Sequence, residues 1–192
     1  STTLDFGLDF AMLSDRLRFV GDYYIRNTTD MFTIGLTLPA VFGATSPKGN
    51  YADLETKGWE FSLSWKDMIK AGAKPVNYGI RFTLADSKAV ITKYNNPDKL
   101  LSDYYEGQVI GEIWGYITEG FFIDETDIAN HAKQNPEMRA SPTNLWYPGD
   151  IKLKNLNDDG FINRGLNRVS DPGDRRIIGN DRPRYTYGIN LD

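Results

Sequence analysis

Residues 155–163 (NLNDDGFIN) place oxygen-bearing side chains two positions apart, at Asn155, Asn157 and Asp159, with Gly160 directly after. That is the first half of a calcium loop, with ligand oxygens at positions 1, 3 and 5 and a glycine at 6 for the sharp turn. Ile162 suits the apolar eighth position, but Leu166 stands at the twelfth, where a carboxylate should close the loop. Asp171 or Asp174 would have to reach back instead. Asparagine in place of aspartate at position 1 lowers the ligand charge and weakens binding. The same spacing also makes an Asx-rich turn held by side-chain to backbone hydrogen bonds. Two readings stand on these residues: a calcium on Asn155, Asn157, Asp159 and Asp174, or a turn that needs no ion.

Other residues that carry chemistry argue against catalysis. His131 is alone in the chain, so a triad or zinc site lacks its second imidazole; a polar helix face is the expected place for it. Glycosidase chemistry needs two carboxyl groups at a set distance, and Asp124, Glu125 and Asp127 read better as helix-start residues, with Asp124 at the N-cap of a helix running to about Lys133. Gly-x-Ser-x-Gly, phosphate-binding glycine loops and His-Glu-x-x-His are absent. Trp114, Tyr116, Phe121, Phe122, Trp146 and Tyr147 fall in one irregular region. Aromatics dominate contacts to sugar rings and to protein partners, so these six are candidates for touching substrate or partner, or else for a small core holding that region together.

The bulk composition narrows the class. With 22 basic and 26 acidic residues the formal charge is −4, which gives no electrostatic case for nucleic acid. Cysteine is absent, so there is neither a disulfide framework nor a thiolate metal site. Mean hydropathy is −0.47, and the chain has no run of about 18 apolar residues of the kind a transmembrane helix needs. Transmembrane strands are only half apolar and escape that test. The chain opens at Ser1 and closes at Asp192 inside strand-like patterns, which is expected of an internal piece of a longer protein.

The elements that must position these residues show a period of two. Leu4, Phe6, Leu8 and Phe10 share a face of residues 3–12, and Leu17, Phe19, Tyr23 and Ile25 share a face of 16–27. Trp59, Phe61, Leu63 and Trp65 do so in 55–66, Tyr78, Ile80, Phe82 and Leu84 in 76–94, and Tyr185, Tyr187, Ile189 and Leu191 in 183–192. Arg18, Arg26, Glu60, Lys66 and Arg81 lie on the opposite, wet faces. Alternation of this kind makes a strand with one apolar and one polar side. About ten residues is long for a soluble strand and is the length a tilted strand needs to cross a bilayer. Residues 31–38 are apolar without clean alternation and stop at Pro39, residues 40–54 read as loop, and Lys70, Gly72, Lys74 and Pro75 read as a turn. Residues 95–182 lose the pattern; such an excursion suits an outer loop of a barrel, whose turns on the other side are short. The expected fold is all-β: an antiparallel transmembrane β-barrel segment of about six long strands, with a large irregular extracellular loop containing a short helix.

Seven segments sharpen this. ETKGWEFSL (55–63), EGQVIGEIWGY (106–116), TEGFF (118–122), PGDIK (148–152), NDDGFI (157–162), DRRIIGN (174–180) and PRYTYG (183–188) together resemble, in order and spacing, the C-terminal barrel half of SusC/RagA-type TonB-linked outer-membrane proteins. The resemblance implies a Bacteroidetes-like outer-membrane importer of glycan oligomers or peptides, paired with a SusD-like surface lipoprotein and driven by the TonB complex through a part of the parent outside this chain. It also implies an Asp-Leu-Asn-Gly-Asp-Gly run followed soon by another Asp. Here Asn155 replaces the first Asp, and an insertion around Gly165 to Pro172 separates the run from Asp174. The alternative is a soluble β-sandwich carbohydrate-binding module with a structural calcium loop, since a sandwich also has one apolar face per strand. An enzyme ranks last.

Overall fold

The computed structural model describes residues 1–35, 41, 43, 44, 46–72, 74–134 and 145–192. The chain forms two compact units, one of residues 1–95, 106–110 and 182–192 and one of 96–105 and 111–181. In chain order the elements are β1 (Thr2–Met12), β2 (Leu17–Ile34), β3 (Lys48–Ala71), β4 (Lys74–Lys93), β5 (Glu112–Tyr116), β6 (Thr118–Phe121), α1 (Glu125–Asn130), β7 (Lys133–Gln134), β8 (Ile151–Leu153), β9 (Phe161–Ile162), β10 (Arg175–Asn180) and β11 (Tyr185–Leu191).

The first unit is one antiparallel sheet in the order β1-β2-β3-β4-β11. Its register lines up the period-two faces across all five strands. One row runs Phe10, Phe19, Leu63, Phe82, Ile189; the next runs Leu8, Gly21, Phe61, Leu84, Tyr187. Phe10 stacks on Phe19 with ring centroids 5.3 Å apart, and Phe61 lies 5.9 Å from Trp59 and 5.7 Å from Phe82. Arg18, Ser64 and Arg81 share a row on the other face. Among the described residues the apolar face stays exposed: Phe6 is 59% exposed, Leu63 40% and Ile189 64%. In a β-sandwich these positions would be interior, so the sheet corresponds to a segment of barrel wall and not to the soluble module. Five strands do not close a barrel.

The strands outrun their expected limits. β2 continues to Ile34, so residues 31–34, expected in a separate strand at 31–38, belong to β2; residues 36–38 and Pro39 lie outside the described residues. The alternation is broken there because register shifts fall between Thr28 and Met31 and between Met31 and Phe32. Asp30 takes a left-handed φ of 56° at that bulge, and its N–H donates to Asp53 Oδ1 at 2.8 Å. Residues 48–54, expected as loop, belong to β3. Lys70, Lys74 and Pro75 are strand residues, with Lys70 paired to Pro75; of the four expected turn residues only Gly72 lies outside the strands, at φ 68°. The β1–β2 turn is equally tight and carries three left-handed residues, Leu13, Ser14 and Asp15.

Both tight turns lie at one end of the sheet. The connections β2 to β3 and β4 to β11 leave from the other end. The second of these carries the second unit, whose described residues hold one short helix and three small two-stranded sheets, β10-β5, β6-β8 and β7-β9, within an otherwise irregular course, as expected. Pieces of two to six residues are too short to show a period.

Tyr24 lies over Gly58, its cross-strand neighbour. A Cβ on Gly58 would stand 2.5 Å from the Tyr24 ring tip. Gly58→Val is therefore expected to displace that ring and cost about 1–3 kcal/mol, read as an earlier urea midpoint of the full-length parent in detergent; an unchanged midpoint would show that Tyr24 does not need this seat.

Candidate functional site

The second unit carries every candidate site residue named from the sequence. Its core is small: Ile162 and Asp174 are fully buried, and Phe122 is 3% exposed. Three buried polar side chains do the work of regular ladders, which loops of this length lack. Asn96 donates to the carbonyls of Leu100 and Tyr104, each at 3.0 Å, and accepts from Leu100 N–H. Gln134 donates to Ile151 O and accepts from Leu153 N–H at 2.6 Å, tying β7 to β8. Asp174 accepts Leu156 N–H on one oxygen at 2.8 Å and Asn163 N–H on the other at 2.9 Å. Gln134 belongs to no motif, and its role was invisible in the sequence.

The calcium-like run forms an Asx-rich turn. Asn155 Oδ1 accepts from Asp158 N–H, Asn157 Oδ1 from Asp159 N–H and Asp159 Oδ1 from Phe161 N–H, at 2.7–3.2 Å. Asn157 Nδ2 also donates to Asp159 Oδ2 at 3.0 Å. Asp158 and Gly160 take positive φ, 58° and 81°. Asp174 is brought next to this run, as the sequence spacing required, but it faces backbone donors with both oxygens. Asp171, the other acid expected within reach, accepts from Leu166 and Gly173 N–H. Among the described residues no three histidine or carboxylate side chains converge as a metal-ligand set.

The six aromatics do not form one platform. Phe122 is core, with its ring edge-on to His131 at 5.4 Å and 6.4 Å from Trp146. Half-buried Trp146 donates its indole N–H to Gln134 O at 3.2 Å. An apolar cavity of about 510 Å³ is lined by Phe122, Ile128, Trp146, Phe161 and Ile162. Trp114 and Tyr116 are half-buried on β5. The Trp114 indole donates to Glu112 Oε1 at 3.0 Å, which also accepts the buried Tyr105 hydroxyl. Burial, followed by that bond to Glu112, pushes the Tyr105 hydroxyl up to about 12. Of the six, Phe121 at 65% and Tyr147 at 44% are the exposed ones.

Helix α1 begins as expected, with Asp124 capping Asp127 N–H at 2.8 Å, but it ends at Asn130. His131 is its C-cap residue and not part of a polar helix face. Its Nε2 lies 2.8 Å from Leu153 O; a carbonyl only accepts, so this nitrogen carries the proton. Asp127 reaches back to Ile123 N–H and takes the Lys152 ammonium at 2.6 Å. The bond from Lys152 holds the Asp127 carboxyl below its usual range.

On the sheet, Arg18, Ser62, Ser64, Lys66 and Arg81 line a recess of about 680 Å³ on the polar face. Arg18 is bidentate to Asp9 at 3.2 and 2.5 Å. Small serines between cations leave room for water and polar solutes. Cations and small hydroxyls on one wet face are an arrangement that can bind and guide polar solutes.

No protein-family model matches the chain. It is similar to the TonB-dependent receptor P3 of Formosa agariphila, 28% identical over the whole of this chain and 18% of the relative. It is also similar to the TonB-dependent receptor SusC of Bacteroides thetaiotaomicron, 25% identical over 92% of this chain and 16% of SusC. The chain thus spans under a fifth of the length of these relatives. Among solved structures, the RagAB peptide transporter matches 98% of the chain and 19% of its own, with a TM-score of 0.60 at 18% identity, which shows a shared fold.

Two outcomes test this site. Asp174→Asn puts a donor where an acceptor is needed and should weaken the loop by about 1–3 kcal/mol, seen as faster hydrogen exchange at Leu156 and Asn163; unchanged exchange would mean the clamp is idle. Because the Asp127 carboxyl is lowered, its contribution is complete above the ordinary carboxylate range and is lost as pH falls through the lowered value. Lys152→Met should move that acid transition at the Ile123 amide to higher pH, and an unmoved transition would show that Lys152 is not the cause.

Proposed function

We propose that the chain is a barrel-wall segment of a SusC/RagA-type TonB-dependent receptor and that its parent imports glycan oligomers or peptides across an outer membrane. The observation that carries this is the register: five strands present a continuous apolar, aromatic face on one side and Arg18, Glu60, Lys66 and Arg81 on the other. Lipid faces the first and a water-filled passage the second, as alternation in a transmembrane barrel requires. The tight turns at Leu13–Asp15 and Gly72 mark the periplasmic end, since such barrels keep short turns there and long loops outside. The second unit is then extracellular.

The similarity to SusC and to the RagAB peptide transporter supports a SusD-like lipoprotein as partner and TonB as the source of work. Phe121 and Tyr147 are the aromatics in this unit that meet substrate or partner, while Trp114, Tyr116, Phe122 and Trp146 hold the unit together. Asn155, Asn157, Asp159 and Asp174 serve as a structural turn, and added calcium is expected to leave hydrogen exchange at Leu156 unchanged.

Single cysteines at Phe61, Leu63 and Phe82, each carrying a polarity-sensitive probe in the full-length parent in lipid, should report hydrocarbon, and those at Ser62 and Arg81 water. A dry protein environment for the first set would overturn the barrel reading. Deleting the parent, or TonB, should abolish cellular uptake of labelled oligosaccharides or of labelled peptides; intact uptake of both would overturn the transport reading.

A further inference from the structure

On the lipid-side face of the sheet the apolar rows end abruptly. Trp59 belongs to the row Phe6, Tyr23, Trp59, Asp86, Tyr185, and one step further toward the loop end Lys57 stands directly opposite Lys88. No register shift separates Trp59 from Lys57 or Asp86 from Lys88, so both lysines point to the same side as the aromatics. Opposed residues on neighbouring strands have Cβ atoms about 4.5–5.5 Å apart, and like charges there are destabilising.

The carboxylates nearby do not cancel this pair. Glu55 is bound to Lys57 at 2.8 Å, and Asp86 is held by Arg184 through two bonds of 2.8 and 2.7 Å. Among the described residues Lys88 has no carboxylate partner. Counted together, Lys57, Lys88 and Arg184 against Glu55 and Asp86 leave one positive charge in excess at a place where two lysines stand opposite each other on neighbouring strands.

The depth identifies the anion. Trp and Tyr sit at the headgroup level of a bilayer, and Lys57 lies two residues, about 7 Å along the strand, beyond Trp59 toward the loop end. Lysine stems cover apolar surface while their heads stay in the polar layer. We propose that Lys57 and Lys88 together bind the phosphate of an outer-leaflet lipid headgroup. This rests on the barrel reading and adds to it an annular lipid site of stated chemistry, on the face away from the passage.

The test uses the full-length parent in vesicles containing either phosphorylated lipid A or the same lipid A dephosphorylated, with co-purified lipid counted by native mass spectrometry. The unmodified protein should retain the phosphorylated form in excess. Lys57→Gln and Lys88→Gln should each reduce the excess roughly five-fold, as expected for about 1 kcal/mol per lysine at a charged surface. The double variant should abolish it, and Lys57→Arg with Lys88→Arg should keep it. Lys74→Gln, which removes an outward lysine at the opposite end of β4, should leave it unchanged. Equal retention of the two lipids by inserted protein would overturn the site and leave the barrel reading intact. The same would follow if Lys74→Gln lowered the excess as much as the pair, or if inorganic phosphate displaced the lipid completely, since the ligand would then be a free anion. Failure of the protein to float with vesicles would instead overturn the barrel reading itself.

Discussion

Backbone amides in hydrocarbon have no water to turn to, so each must be satisfied within the ladder. The pattern of irregularities in the sheet follows this constraint. β1 pairs with β2, and β11 with β4, without any register shift. Where β2 meets β3 and β3 meets β4, the shifts fall only at Thr28, Met31 and Phe32 and at Asp53 and Leu54. All of these lie on the loop side of the Lys57 row. A bulge leaves a residue unpaired; that costs several kcal/mol in lipid and little where water or a side chain can step in, as Asp53 does for the Asp30 amide. The same ladder fixes the faces, because a slip of one residue would turn Phe61, Leu63 and Phe82 into the passage and Arg18 and Arg81 into lipid.

The second unit solves its backbone problem in another way. Its strands are two to six residues long, so most amides and carbonyls find no ladder partner. Buried Asn96, Gln134 and Asp174 each serve two or three backbone groups: Asn96 within its own turn, Gln134 and Asp174 across segments apart in sequence, as with Asp174 and the amides of Leu156 and Asn163. A carboxylate engaged by two amides is well stabilised without an opposite charge. This explains why an acid is tolerated at the most buried position of the unit, and why spacing alone led to it as an ion ligand: calcium loops and amide clamps both require oxygens that converge.

This difference also decides what could be read from the sequence. Period two extends over about ten residues in each sheet strand, because one solvent boundary imposes it, and the five faces were legible in full. At Met31 and Phe32 the bulge shifts the phase, so the end of β2 read as a separate strand. Lys48 to Leu54 has no lipid face to maintain, and its polarity read as loop. In residues 95–182 no long-range periodicity exists to be found. There the sequence showed Asp124 as a cap and the Asn155–Gly160 turn, which are local devices. It did not show Gln134, whose partners 17 and 19 residues away are chosen by tertiary proximity. Phe121 and Phe122 are neighbours in the chain yet lie outside and inside the unit, a distinction only the β6–β8 pairing makes.

The height of the apolar band can be framed from charge alone. At the turn end of β3, Asp67 shares the aromatic face and pairs with Arg16 at 3.5 Å; at the loop end Lys57 shares it and pairs with Glu55. These charged residues stand ten positions apart on one strand, with Trp59, Phe61, Leu63 and Trp65 between them. Ten steps are about 33 Å along a strand, and a tilt of about 40° reduces that to about 25 Å across the membrane, the height of the apolar band in transmembrane barrels. The Asp86–Arg184 pair falls one row inside the upper limit, at the level of Tyr23, Trp59 and Tyr185. Asp86 is almost fully enclosed, and a carboxylate placed so close to hydrocarbon needs a committed cation. The guanidinium can supply it there because Arg184 precedes the first residue of β11, free of the alternation that binds the rest of the strand.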